Sequence, residues 1–199
     1  MRRTTLLAVM LLPVGLWWGA TTWDARRFEG AGPVAPDEPT QRESSEAPFQ
    51  HGAVQLIPKA EFSAKARVLS VYDYREETDG DIVPVDLVLA WGALSDADLA
   101  VQLAVHQHKR YFSWHAPGDF ALPRNAIIRS TANMHMVPAT DAIRDQLLQL
   151  RRGQVVSFSG KLVDIRGGEL IWRSSMSRTD SGSFACELVF AESLQVISP

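Results

Sequence analysis

Cysteine is almost absent from the 199-residue chain, Cys186 being the single example. No intrachain disulfide can form, and no cysteine-based zinc cluster can assemble. No cysteine follows the apolar N-terminal run either, which excludes a lipoprotein-type acylation site there. An excess of positive charge is also missing: 20 Lys and Arg face 23 Asp and Glu, for a net charge of −3. That balance argues against a domain that holds nucleic acid by bulk electrostatics. There is no internal repeat, and no motif sets a nucleophile beside a base. Redox compartment is left open, since one cysteine suits either side of a membrane.

One long hydrophobic run is present, and it is the most informative stretch. Arg2 and Arg3 precede an uncharged segment from Thr4 to Trp23. About 20 such residues in a helix span roughly 30 Å, the thickness of a bilayer's hydrocarbon core. Pro13 near its middle is tolerated in a membrane helix. A cleaved signal peptide competes with an uncleaved signal anchor. Cleavage after Ala20 would place bulky Trp18 where a small residue is wanted, and Trp17, Trp18 and Trp23 suit an interfacial belt. The expectation is an anchor over residues 4–23. The charges on its two flanks favour an inside N-terminus by a small margin. A single-pass inner-membrane protein with its C-terminal domain in the periplasm, or extracellular, is expected.

Residues 24–53 change character. Pro, Glu, Ser and Gly dominate with no apolar periodicity, which predicts a flexible tether. Residues 54–197 then carry enough apolar pattern for one globular domain. Strands are predicted over Ala60–Tyr74, Asp81–Gly92, His106–Trp114, Ala126–Val137, Gln154–Ile165, Glu169–Ser177 and Phe184–Ile197. Ser95 is read as the cap of a short helix. Thr140 caps the clearest helix, with Ile143, Leu147 and Leu150 on one stripe and Gly153 past its end. The fold class is therefore α+β, mostly β: an OB-like or related small barrel with one or two short helices, preceded by one transmembrane helix. Gly160 would supply the bend that lets a small barrel curl. A different α+β sheet is the alternative.

Several residues could carry chemistry. Cys186 shares its strand face with Phe184, Leu188 and Phe190 and reads as a small core side chain, rather than as a nucleophile paired with His135. His106 and His108 have metal-ligand spacing on a strand, but Arg110 on the same face opposes a divalent ion. No metal and no cofactor are expected. Lys109–His115 interleaves cations with aromatics, the ingredients of a single-strand nucleic-acid platform. An ordinary strand with its aromatics packed inward is the simpler reading.

The strand Ala126–Val137 would set Ile128, Ala132, Met134 and Met136 on one face, with Arg129, Thr131, Asn133 and His135 on the other. One wet sheet face is enough to explain the alternation. Arg, Asn and His in line also suit an anionic or polar ligand. Arg173, Ser175, Ser177, Arg178 and Asp180 make a second polar row. The candidate ligand-binding set is Arg129, Asn133, His135, Arg173, Arg178 and Asp180.

The segments PVDLVLAWG, KRYFSW, ANMHMVPA, GQVVSFSGKLV and WRSSMSRTDSGSFACE together resemble a family of uncharacterised bacterial proteins with an N-terminal membrane segment. The resemblance implies a bacterial source and an envelope location, and it brings no activity with it. Three classes of function remain in view. The first is a non-catalytic, membrane-tethered binding or assembly module of the cell envelope, whose partner is another envelope protein. The second is an envelope hydrolase or transferase built around His135. The third is a single-strand nucleic-acid binder in DNA uptake or secretion, disfavoured by the charge.

Overall fold

A computed structural model describes Phe28 and residues 32–168, 170–177 and 185–198. The apolar segment 4–23 lies outside the described residues. Among the described residues no helix is long and apolar enough to cross a membrane.

Strand β3 (Val54–Asp73) organises the domain. Its small and branched residues, from Val54 through Ala60, Phe62, Ala64 and Ala66 to Val68, are buried at every second position. That is the pattern of a strand with one dry face. Register shifts at Pro58/Ala60 and Val68/Ser70 let so long a strand bend. Residues 67–73 pair with β4 (Val85–Ala90), and residues 55–67 pair with β8 (Val155–Gly167). Strand β4 pairs with β7 (Thr131–Pro138), which runs parallel to β10 (Glu187–Ser198), and β10 returns antiparallel to β8. The strands β3-β4-β7-β10-β8 thereby close a ring within a mostly-β α+β fold.

The interior of the ring holds Phe62, Leu87, Leu89, Met134, Met136, Phe158 and Leu162 among others. Burial of such side chains, roughly 1.5–3 kcal/mol each, is the main favourable contribution. Helix α3 (Asp141–Gln149) packs onto this interior through Leu147, with Ile143 and Leu148 against it. The Thr140 hydroxyl accepts from the Ile143 amide, as expected, and Leu147 and Leu150 are buried in the same cluster. Gly160, between Phe62 and Ala191, lies in a tight crossing where any Cβ would collide with the Phe190 carbonyl oxygen. The ladder shifts register at Ala191/Ser193 beside it.

Several expectations are corrected. Residues 24–53 are not wholly a tether: β1 (Thr40–Glu43) and β2 (Phe49–His51) pair with β3. Their polar side chains gave no apolar period because β1 lies exposed along its length. Backbone pairing holds it there, and Lys161 meets Glu46, Glu61 and Glu192 at 3.2–3.4 Å nearby. Ser95 belongs to a 3-10 turn (Gly92–Ser95), and Asp96 caps helix α1 (Ala97–Ala100) by accepting from the Asp98 and Leu99 amides. Ala126–Ile128 is not strand but part of helix α2 (Arg124–Arg129), started by Pro123. Among the described residues of the expected strand Glu169–Ser177, only β9 (Leu170–Trp172) is strand.

The predicted strand His106–Trp114 is a hairpin of β5 (Ala104–His108) and β6 (Tyr111–His115). Its two-residue turn is Lys109-Arg110, with φ of 47° and 70°. Such turns normally take Asn-Gly, because bulky residues are strained at positive φ. The sequence therefore carried no turn signal.

Candidate functional site

The hairpin lies over the outer face of β4 and β7. On that face Asp86 sits directly across from His135, and Val88 across from Asn133. Thr131, Asn133 and His135 are all buried, so the polar row is a covered face and not a wet one. Asn133 takes its partners from the hairpin in place of water, whereas the Thr131 hydroxyl donates to the Ile127 carbonyl of helix α2.

Arg110 is the centre of this arrangement. Its Nε donates to Asp79 Oδ2 at 3.1 Å, and its Nη2 lies 2.8 Å from Asp79 Oδ1. Nη1 donates to Asp86 Oδ1 at 2.7 Å, and Nη2 also donates to the Val83 carbonyl at 2.9 Å. The guanidinium stacks 3.4 Å from the Tyr74 ring centroid, with Trp172 at 5.4 Å. Its backbone is held as well. The Arg110 amide donates to Tyr74 Oη at 2.7 Å, and its carbonyl accepts from Asn133 Nδ2 at 3.1 Å. Gln107 Nε2 completes the set by donating to Asn133 Oδ1 at 2.9 Å. Two left-handed residues cost of order 1–3 kcal/mol each and persist only where surroundings over-determine them. Here they do.

His135 Nδ1 stands 2.8 Å from Asp86 Oδ1, with its ring 4.7 Å from that of Trp172. The contact lacks the alignment of a hydrogen bond, and neither His135 Nδ1 nor Asp86 Oδ2 makes one. Burial would lower the pKa of Arg110, but hydrogen bonds and charge from Asp79 and Asp86 outweigh it and the net direction is upward. The cation is therefore permanent. Burial, reinforced by the Asp86 charge, raises the pKa of the Tyr74 phenol.

This has a consequence for alkaline stability. The folded pKa exceeds the unfolded value, so the stabilisation is full below the unfolded pKa, about 10, and declines as pH rises past it. Unfolding free energy measured against pH should fall more steeply above pH 10 in the wild type than in Tyr74→Phe, whatever the lower baseline of the variant.

A cleft of about 300 Å³ opens beside the hairpin turn. His135 and Cys186 line it, Trp172 and Asp79 wall it, and Lys109, Tyr111 and Arg173 stand at its rim. Tyr111 is 55% exposed, unusual for a ring that size. Cys186 is half-buried at the cleft, not sunk in a core; its Sγ lies 3.8 Å from the Arg110 carbonyl oxygen and 3.7 Å from Asn133 Nδ2.

Of the candidate set, Asn133, His135 and Arg173 come together around the hairpin turn and this cleft. Arg129 does not: it ends α2, exposed, on a helix and not on the strand. Arg178 and Asp180 lie outside the described residues. Sequence reasoning missed Asp86, Asp79, Tyr74 and Gln107. Asp86 alone left a signal, a carboxylate inside the otherwise apolar run VDLVLA.

On the hairpin itself His106 and His108 share the exposed face with Tyr111, Ser113 and His115, whereas Phe112 and Trp114 turn inward against the cluster of Leu94, Leu103 and Ile127. Arg110 leaves that row because it lies in the turn. Among the described residues no three His, Cys, Asp or Glu stand close enough to hold a metal. No protein-family model matches the chain, and neither does any curated protein or solved structure.

Proposed function

We propose that this chain is a non-catalytic binding or assembly module of the bacterial cell envelope, tethered to the inner membrane by its N-terminal apolar segment, with the domain on the periplasmic side. The observation that carries the reading is the commitment of the polar row to the domain's own structure. Arg110 bonds Asp79, Asp86 and Val83, while Asn133 donates to the Arg110 carbonyl and accepts from Gln107 of the hairpin. Groups that hold a fold in this way are poorly placed to move protons for a substrate. What stays accessible is a rim of Lys109, Tyr111 and Arg173 around a half-buried tryptophan. Aromatic and arginine side chains of that kind anchor protein partners, and the two cations suit an acidic segment of another envelope protein.

The ring supports an OB-type barrel. Its strands adjoin in the order first, second, third, fifth, fourth and back to the first, and helix α3 precedes the fourth. In OB barrels the face of strands two and three, with the loops joining one to two and four to five, forms the binding surface. The cleft draws Asp79 from the first of those connections, His135 from the third strand, and Trp172 and Cys186 from the second.

A photo-crosslinking residue at Tyr111 tests this in intact cells. A discrete adduct should form and disappear on the double reversal Lys109→Glu/Arg173→Glu, with the melting temperature unchanged. An adduct that persists on the reversal, or no adduct at all, sinks the partner assignment.

One observation favours a second reading, an envelope hydrolase or transferase: His135, which touches the buried Asp86, lines the same cleft as Cys186. Turnover of any envelope ester or amide by the purified chain, abolished by Cys186→Ser in a protein of native melting temperature, would establish it over the first.

A further inference from the structure

The chain is fastened to the domain much earlier than its composition suggests. Phe28 is buried, 6% exposed, in the outer cluster with Leu69, Val88, Leu94 and Ile127. Two guanidiniums cover its ring, Arg152 with Cζ at 4.9 Å and Arg67 with Cζ at 5.6 Å. Ala35 is fixed next: its amide donates to Ser95 Oγ at 3.0 Å, and its carbonyl accepts from the Gly92 amide at 2.8 Å. Then β1 joins the sheet. Only Asp24 to Arg27 separate the apolar segment from this first attachment. Five steps of backbone reach at most about 18 Å, whereas thirty flexible residues would wander over roughly 30 Å.

We infer that the domain is not held off the bilayer on a long spacer but is apposed to it, with the Phe28 end facing anionic lipid headgroups. The inference rests on the reading of residues 4–23 as a membrane anchor. Charge at that end fits. Arg26 and Arg27 lead into Phe28, partly offset by Asp24 and Glu29, while Arg152 covers its ring and exposed Arg151 adjoins it. Basic groups this close to a bilayer are drawn to anionic headgroups within a Debye length. Trp172 of the cleft pairs with Ile165, ten residues along β8 from Val155, which follows the turn that carries Arg152.

The test uses the full chain in vesicles of phosphatidylethanolamine and phosphatidylglycerol that carry a headgroup acceptor dye. A fluorescent amino acid is placed at Gln149, close to Arg151, or at Ile171, which is separated from it by the length of β8, about 35 Å. With the protein co-floating, energy transfer should be several-fold stronger from position 149 than from 171. A twenty-residue Gly/Ser insert between Arg27 and Phe28, which leaves every described contact in place, should bring the two towards equality. Vesicles of phosphatidylcholine alone should reduce the difference. Co-flotation with equal transfer at both positions overturns the apposition and leaves the anchor standing. No co-flotation overturns the anchor itself, and with it the apposition. A difference indifferent to both insert and lipid charge overturns the headgroup contact.

Discussion

Replacing Arg110 by alanine should lower the free energy of unfolding by about 3–5 kcal/mol, the range for removing one partner of a buried charge pair. The cause lies in what is left behind. Asp86 has no exposed surface, and Arg110 Nη1 is its hydrogen-bonding donor at 2.7 Å. Without it a buried carboxylate faces only His135, out of line for a hydrogen bond. The hairpin turn loses its clamp at the same moment, although its two residues remain in the left-handed region. Arg110→Lys should rescue little, because one ammonium cannot reach Asp79, Asp86 and the Val83 carbonyl together. Asp86→Asn added to Arg110→Ala should recover part of the loss by removing the orphaned charge. Urea unfolding of the four proteins measures these differences, and an Arg110→Ala cost within about 0.5 kcal/mol of zero, the range of an ordinary surface change, would show the clasp to be ornamental.

Gly160→Ala should cost about 3 kcal/mol, at the upper end for overpacking. A methyl group in a strand ordinarily gains about 0.5–1 kcal/mol through backbone entropy, so the sign is decided by what it meets. Here it meets backbone on the neighbouring strand, the Phe190 carbonyl, with the Glu192 amide close behind. Neither can swing aside without breaking the β8–β10 ladder. Gly118→Ala is the control. Nothing lies within 4 Å of its added methyl, and its effect should stay within about 0.5 kcal/mol. Thermal or denaturant unfolding distinguishes the two directly.

What the sequence made legible follows from where its signals are local. Alternating burial in β3 and the Thr140 cap could be read because each is written in neighbouring residues. The mostly-β class followed. The hairpin could not be read, since Lys109-Arg110 hold left-handed backbone by virtue of contacts from Tyr74, Asp79, Asp86 and Asn133, all distant in the chain. For the same reason the polar row of β7 was expected to face water. Its hydrogen-bonding partners come from other elements, and only folding brings them over it. The strands β1 and β2 were missed because an edge strand with solvated side chains has no hydrophobic period to show.

The closing seam of the ring has a kinetic consequence. Gln55 pairs with Arg166, and Arg67 with Val155, so the first long strand finds one of its edges only after the chain has passed residue 150. Loops of that length are costly to close, and domains dominated by such distant pairings fold slowly. During synthesis β3 emerges with that edge unsatisfied and stays so until β8 arrives. A strand of this kind is a template for wrong pairing. A holding chaperone would have its greatest effect in this interval, and truncation before β8 should yield aggregates rather than a smaller folded domain.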